Sequence, residues 1–346
     1  MRKIIRDVLL FLFGLGVSVA LVQARIQQAS AASVHPAARP QFRYVGLGRE
    51  AFHPAMAQWL LRGGYAPFAQ AATAEFPIPG LAAGYVPQGI CYSEALDCFL
   101  LAAYYPEGER PSLLSLVDAA TGALIKNLYL LHPDGSVYNG HASAVASADR
   151  HAWIAVGGWV FHLLAEDLRA AGTEGTVRFR DVFNTGRRGG FAFCAEGMLW
   201  LGEYTTPEGG QGRCAGYPLN GGAPMGFDPS PVFAFSVPDH VQGACGTKDG
   251  LYFSVSHGIR NPSRLLIYPP LREIMHKSDR MEGSTSLPFH ALDETRARCQ
   301  ALAPMSEGVA AHGGKVYVLF ESAALPYRRR VELFADYVYS VPEKAR

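Results

Sequence analysis

The pattern of hydrophobic and polar residues changes character at Phe76. Downstream of it, apolar runs of four to seven residues alternate with turns rich in Gly, Pro, Asp and Asn almost to the C-terminus. Short apolar runs bounded by turn-forming residues are typical of β-strands. Upstream, residues 51–72 are rich in alanine and carry Trp59 and Phe68 at mixed helical spacing, which predicts one or two short helices.

The strand pattern repeats five times along the chain. Each repeat begins at a small marker residue, passes through an apolar strand and a turn, and enters a second, strongly apolar strand. The markers are Gly89, Ser143, Gly190, Gly243 and Gly308, at steps of 54, 47, 53 and 65 residues. The pattern predicts third strands at residues 112–118, 160–164, 215–219, 264–268 and 337–341, and fourth strands at 124–130, 177–183, 232–237 and 287–292.

A period of about 40–50 residues with four strands per unit is typical of a β-propeller. We therefore predict an all-β fold, a β-propeller of five or six four-stranded blades over residues 74–342, with a two-sheet sandwich as the alternative. The fifth unit lacks an outer strand, and residues 74–78 are placed to supply it and to close the ring between the termini. Residues 32–73 form a lead-in with short helices.

The first residues have the pattern of a targeting signal. Arg2, Lys3 and Arg6 precede an apolar run of 15 residues. After this run come small residues that suit cleavage by signal peptidase. Because a membrane-spanning helix needs about 20 apolar residues, this run favours a signal peptide over residues 1–31. An uncleaved N-terminal anchor is the alternative. Both interpretations predict an extracytoplasmic location, periplasmic or secreted, for the rest of the chain.

Composition narrows the classes of function. Of 346 residues, 49% are hydrophobic and 18% are charged, with a net charge of +1. A chain this apolar can build a core, which excludes global disorder, and its near-zero charge gives no basis for nucleic-acid binding. We expect a monomer whose partner is a small molecule or an envelope protein. Contact with a membrane is expected only through the N-terminal segment, if it is not cleaved.

Because the chain is expected to be exported, its six cysteines are expected to lie in an oxidising compartment. An even number of cysteines in an exported chain favours disulfides over metal thiolates. Cys91 and Cys98 flank a predicted hairpin connection, so we expect a disulfide between them. The other four are either disulfide-bonded or buried as free thiols.

The first strand of each propeller blade lines the central channel, so polar residues at equivalent positions converge there. The residue before the marker is Gln88, Gln242 or Glu307 in three units, and His141 lies two residues before the marker of another. These four residues predict a ligand-binding mouth. Glu307, Gln88 and Gln242 could also ligate Ca²⁺, which takes about 6–8 oxygen ligands. Alternatively, they bond to one another and to buried water, with no ligand.

A second group of polar residues lies where the second strands end. Tyr104 and Glu321 are expected to contact the ligand, and Glu203 and His257 are candidate acid–base residues. The alternative is that they are plain rim residues. Isolated histidines, such as His151 and His162, have no partner spacing and are expected at turns or on the surface.

Three short motifs resemble those of exported bacterial β-propellers. They are Tyr-Val-Pro-Gln-Gly at residues 85–89, Asp-Ala-Ala-Thr-Gly at 118–122 and Met-Ser-Glu-Gly at 305–308. More distantly, residues 76–342 resemble the calcium-dependent lactonases of the gluconolactonase and paraoxonase type. This resemblance implies a calcium-assisted hydrolase of lactones or esters in which Glu307 matches the family's glutamate ligand. For such an enzyme we expect Glu203 as a further ligand and His257 as the acid–base group. Gln88 and Gln242 stand where that family has Asn or Asp.

Three functions follow from these observations. The first is an exported propeller that binds a small ligand or a protein partner at its channel mouth. The second is the calcium-assisted hydrolase, and calcium is the one cofactor that the sequence suggests. The third is a non-catalytic interaction platform in the cell envelope.

Overall fold

The computed structural model describes residues 66–186, 188–277, 280–282, 287–331 and 334–343. The predicted signal or anchor at residues 1–31 and most of the lead-in lie outside these residues. Within the described ranges, no helix is both long enough and apolar enough to cross a membrane. The three described α-helices are α1 (Ala66–Ala71), α2 (Ala165–Ala170) and α3 (Leu271–Met275).

Nearly all other regular structure consists of strands. In chain order they are β1 (Thr73–Pro77), β2 (Val86–Ser93), β3 (Cys98–Tyr104), β4 (Leu113–Asp118), β5 (Leu124–Leu131), β6 (Ala144–Ala148), β7 (His151–Val156), β8 (Trp159–Leu164), β9 (Gly175–Arg178), β10 (Asp181–Asn184), β11 (Phe191–Ala195), β12 (Met198–Gly202), β13 (Gly212–Pro218), β14 (Phe233–Val237), β15 (Val241–Gly246), β16 (Leu251–Val255), β17 (Ser263–Tyr268), β18 (Arg280–Glu282), β19 (Leu287–His290), β20 (Arg298–Leu302), β21 (Ser306–His312), β22 (Lys315–Phe320) and β23 (Tyr337–Pro342).

The strands form five blades, which confirms the predicted propeller and sets its blade number. From the inside outwards, blades 1 to 5 are β2-β3-β4-β5, β6-β7-β8-β10, β11-β12-β13-β14, β15-β16-β17-β20 and β21-β22-β23-β1. The inner strands contact one another in the ring order β2, β6, β11, β15, β21 and back to β2. Blade 5 closes the ring as predicted, because β1 pairs antiparallel with β23 and joins the two ends of the propeller.

Apolar packing between neighbouring blades holds the ring together. Second strands such as β3, which reads CFLLAAY, are buried almost throughout because a neighbouring blade covers each face. Leu100 of blade 1 and Ile154 of blade 2 belong to one buried cluster, and the ring centroid of Phe191 in blade 3 lies 5.9 Å from that of Phe253 in blade 4. Phe68 of α1 is buried with its ring near Phe320, which docks this helix on blade 5.

Two of the predicted outer strands are placed differently. Residues 177–183 do not form one strand, because β9 extends blade 1 in parallel with β5 while β10 completes blade 2. Residues 287–290 form β19, which pairs in parallel with β14 of blade 3, and β20 is the outer strand of blade 4. β20 reads RCQAL and is half exposed, so its sequence carries a weaker strand signal than the apolar segment before it.

A histidine pair is buried in blade 2, contrary to the expected surface positions. His151 and His162 are 3% and 2% exposed, and Nδ1 of His151 lies 2.8 Å from Nε2 of His162. The two rings stack on each other and on Trp153. Burial is the main cause that lowers the pKa of His162 to about 4, so the pair is neutral at neutral pH.

The marker glycines close the middle of the channel. A Cβ on Gly89 would lie 2.7 Å from the backbone nitrogen of Val145, and one on Gly308 would lie 2.7 Å from that of Ile90. Only glycine permits this approach of neighbouring inner strands, and about 10 Å³ of space remains between them. A cavity of about 430 Å³ lies at one end of the channel and one of about 80 Å³ at the other.

Candidate functional site

The larger cavity, at the channel mouth, receives side chains from all five blades. Its lining residues are Gln88, Tyr104, His141, Ser143, Val156, Gly157, Gly190, Tyr204, Gln242, Glu307, Glu321 and Tyr327. The structure thus brings together the six residues that the sequence suggested as ligand contacts. Glu203 and His257, the suggested acid–base pair, are not among the lining residues. The functional roles given to these eight residues stay predictions.

Three of the lining side chains come from equivalent β-bulges. In β2, β15 and β21 the pairing register shifts around Gln88, Gln242 and Glu307, each directly before a marker glycine. A β-bulge leaves a residue unpaired and redirects its side chain. This local geometry lets apolar inner strands present polar groups at the mouth.

The second strands deliver the remaining polar groups to the same edge. Because first and second strands are antiparallel, the start of one lies beside the end of the other. Tyr104 ends β3, Tyr204 lies two residues beyond β12, and Glu321 directly follows β22. Glu307 and Glu321 of blade 5 therefore meet although they are 14 positions apart in the chain.

The carboxyl groups of Glu307 and Glu321 hydrogen-bond to each other. Glu307 is 2% exposed, and its burial, with the neighbouring Glu321, raises its pKa well above the usual value. Burial raises the pKa of Glu321 to about 7, although the hydrogen bonds that it accepts from Gln88 and Glu307 oppose this shift. Two carboxyl groups in contact do not both ionise readily. Glu307 therefore holds a proton and donates it to Glu321, and the pair titrates as a unit.

Gln88 fixes one side of this pair. Its Nε2 donates to the carbonyl oxygen of Pro87 at 2.9 Å and to Oε2 of Glu321 at 3.1 Å. Both partners are acceptors, so the amide nitrogen, rather than the oxygen, faces the carboxyl pair. Gln88 is 4% exposed as a residue, and this burial holds the donor in place.

Aromatic side chains form much of the cavity wall. The ring of Tyr104 stacks on that of His141 with centroids 4.1 Å apart, and its hydroxyl hydrogen-bonds to Tyr327. Nδ1 of His141 lies 3.1 Å from the hydroxyl of Ser143. His141 reaches solvent at the mouth, but the concave wall removes part of its hydration, and this desolvation lowers its pKa. His141 is therefore neutral at neutral pH.

A second aromatic group lies behind Tyr204. The hydroxyl of Tyr204 lies 3.2 Å from Nδ1 of His240, and the ring of His240 stacks on that of His257 at 4.2 Å. Desolvation and the neighbouring His257 lower the pKa of His240. His257 thus reaches the cavity only through other side chains. Sequence reasoning missed His240 and Tyr327, because neither occupies a position that recurs between blades.

The donor set around Glu307 does not fit calcium. In the described part of the chain, no three His, Cys, Asp or Glu side chains come together in a metal-binding arrangement. Ca²⁺ takes about 6–8 oxygen ligands, whereas Glu307 and Glu321 share a proton and Gln88 presents an N–H to them. A calcium ion would require these side chains to change both protonation and orientation.

The expected disulfide between Cys91 and Cys98 is not formed, and all six cysteines are free. The strand register places Cys98 opposite Ser93, and Cys91 opposite Leu100. The two cysteines are therefore diagonal neighbours, for which the Cα separation is about 7–8 Å. A disulfide spans about 4.4–6.8 Å. Cys91 instead lines the smaller cavity at the far end of the channel, together with cysteines of blades 3 and 4.

Comparisons with known proteins add little to this description. No protein-family model matches the chain, and no curated protein matches it. Among solved structures, glutaminyl cyclase of Myxococcus xanthus is 12% identical with a TM-score of 0.43, covering 78% of this chain and 94% of that chain. A nidogen/laminin complex is 10% identical with a TM-score of 0.35, covering 68% of this chain and 73% of that chain. At these values neither likeness transfers a function, and the strand pairing itself identifies the chain as a five-bladed β-propeller.

Proposed function

We propose that the protein binds a small molecule in the mouth cavity and that the Glu307–Glu321 pair exchanges protons with it. The observation that carries this proposal is a hydrogen-bonded carboxyl pair at the edge of an open cavity of about 430 Å³. The N-terminal sequence supports an extracytoplasmic location for this activity.

The carboxyl pair supplies an acid and a base together. An acid–base group works best when its pKa lies near the operating pH. Burial raises the pKa of Glu321 to about 7, so near neutrality it accepts a proton while Glu307 still has one to donate. This state suits the attack of water on an ester or lactone carbonyl: Glu321 takes the proton of the water, and Glu307 protonates the leaving oxygen.

The spacing of the pair argues against another two-carboxylate reaction. Glycoside hydrolases hold their carboxyl groups about 5–9.5 Å apart, to leave room for the sugar and for water. Glu307 and Glu321 are in hydrogen-bond contact, which leaves no such gap.

The two other functions have weaker support. A calcium-dependent lactonase needs a set of oxygen donors that this cavity does not present. An interaction platform needs a contiguous apolar patch, whereas the exposed large apolar side chains of the described residues are spread over four blades. They are Ile125, Val137, Trp159, Tyr204, Val232 and Leu325.

Reaction with phenyl glycidyl ether, an epoxide, tests the proposal. The ionised Glu321 attacks a ring carbon, the carbon–oxygen bond opens, and the new alkoxide takes the proton of Glu307, which leaves a hydroxy ester on Glu321. Peptide mapping by mass spectrometry should find Glu321 modified faster than exposed carboxylates such as Glu94. Glu307→Gln and Glu321→Gln should both abolish this selective reaction.

Glu94→Gln is the control, because Glu94 is exposed and lies outside the cavity lining, so its loss should leave the labelling rate of Glu321 unchanged. Labelling of Glu321 that is no faster than that of Glu94, or that persists in Glu307→Gln, would overturn the proposed acid–base pair.

A further inference from the structure

The charges in the mouth cavity are not balanced by the protein. Of the described lining residues, two are acidic and none is Lys or Arg. Desolvation lowers the pKa of His141, a basic residue in this lining, which favours its neutral form. Charged groups away from bulk water are normally paired with an opposite charge. The ionised form of the Glu307–Glu321 pair has hydrogen-bond donors in this cavity but no cation.

The rest of the wall is suited to a positive charge. Tyr104, Tyr204 and Tyr327 line the cavity, and aromatic rings attract cations within about 6 Å of their centroids. The hydroxyl of Tyr104 is engaged with Tyr327, and that of Tyr204 with His240. Neutral aromatic walls beside a carboxylate form a typical environment for an organic ammonium group.

We infer that the ligand carries a compact organic cation, such as a primary ammonium group, which pairs with Glu321 and displaces the proton that Glu321 holds. This inference rests on the proposed function, because it names the class of molecule that the same cavity takes. No bond is made or broken in this step: the carboxyl proton of Glu321 leaves to solvent, and the cation takes its place.

The displacement couples binding to pH. Burial raises the pKa of Glu321 to about 7, so the free site is protonated below that pH and ionised above it. A cation binds the ionised form, so its dissociation constant should rise by about tenfold from about pH 8 to about pH 6. Binding should release close to one proton at the lower pH and almost none at the higher.

Isothermal titration calorimetry with benzylammonium and methylammonium chloride tests the inference. Titrations in two buffers that differ in protonation enthalpy and carry no primary amine, phosphate and MES at about pH 6 and phosphate and HEPES at about pH 8, give the number of protons released at each pH. Benzyl alcohol is the neutral control, and calcium chloride is run in parallel. We expect binding of at least one ammonium probe, with proton release at the lower pH, and much weaker binding of the alcohol.

Two variants separate this inference from the proposed function. Glu321→Gln should abolish ammonium binding, because it removes the charge. Glu307→Gln should retain binding and its pH dependence, because burial still raises the pKa of Glu321 and the new amide still donates to it. The same Glu307→Gln change should abolish epoxide labelling. Glu94→Gln is again the control.

The outcomes are distinguishable. If Glu321 is labelled selectively by the epoxide but neither ammonium probe binds, the acid–base site stands and the cation inference is wrong. Equal binding of benzyl alcohol, binding without pH dependence, or calcium that displaces the ammonium probe through Glu321 would each also overturn the inference. If selective labelling fails, the proposed function itself is wrong.

Discussion

The hydrogen bond from Gln88 to Glu321 lowers the pKa of Glu321, and we predict the size of this effect. Replacing Gln88 by Met keeps the length of the side chain but removes the amide that donates to Oε2 of Glu321 at 3.1 Å. A hydrogen bond to a charged group contributes about 1.5–3 kcal/mol. Since one pKa unit corresponds to about 1.4 kcal/mol, losing this bond should raise the pKa of Glu321 by about 1–2 units.

The pH dependence of epoxide labelling measures this shift. The wild-type rate should rise with pH through a midpoint close to the value of about 7 set by burial of Glu321. In Gln88→Met the midpoint should move upward by about 1–2 units, because only the ionised carboxylate attacks the epoxide. The labelling rate at high pH, where Glu321 is fully ionised, should change little.

Gln242→Met is the matched control. Gln242 occupies the equivalent bulge in blade 4 and lines the same cavity, but Gln88 and Glu307 are the side chains whose hydrogen bonds influence Glu321. The control should leave the midpoint within a few tenths of a unit of wild type. A midpoint that is unchanged in Gln88→Met, or that moves equally in both variants, would refute this account of how Glu321 is tuned.

Three further predictions concern the fold. Gly308→Ala should lower the free energy of unfolding by about 1–3 kcal/mol in urea titration, because the Cβ of the alanine would overlap the inner strand of blade 1. Gly221→Ala is the control, because a Cβ there would meet open space. Equal effects of the two changes would contradict the close approach of the inner strands at Gly308. The free energy of unfolding should fall as the pH drops from 6.5 towards about 4, because His162 binds a proton in the unfolded chain but stays neutral in the folded one. This loss should be smaller in His162→Gln. A free energy of unfolding that does not change with pH would argue against the buried pair. Mass mapping of denatured, unreduced protein should find no cross-link between Cys91 and Cys98, and finding one would show that the register of β2 and β3 is wrong.

The propeller could be predicted because its signal is local and repeated. The marker glycines recur because neighbouring inner strands touch at Gly89 and Gly308, and the turns between strands punctuate each unit. The closing strand β1 could also be predicted, since blade 5 lacks a fourth strand of its own. The outer strands are harder to predict from the sequence, because a strand such as β20 is half exposed and has little apolar pattern.

The site could be predicted only where it follows the repeat. Gln88, Gln242 and Glu307 share one position before the marker glycine, so their convergence was visible in the sequence. The contact between Glu307 and Glu321 depends on a bulge in β21 and on where β22 ends, and neither can be fixed from residue types. Tyr327 has no equivalent in the other blades.

The histidine pair illustrates a similar difficulty. His151 and His162 lie on adjacent strands of blade 2, and the register sets Trp153 opposite His162. The two imidazoles therefore meet diagonally, a relation that depends on hairpin register rather than on spacing along the chain. Two histidines that look unrelated in the sequence are hydrogen-bonded in the core, while Nε2 of His151 and Nδ1 of His162 have no partner among the described residues.

The central claim is that Glu307 and Glu321 share a proton near neutral pH. A ¹³C NMR titration of the glutamate side-chain carboxyl groups, with Glu307→Gln and Glu321→Gln to assign the signals, measures this directly. One carboxyl should titrate near 7 and its partner should stay protonated well above the usual range; the first signal should be lost in Glu321→Gln and the second in Glu307→Gln. Titration of both groups at about 4, as for exposed glutamates, would contradict it.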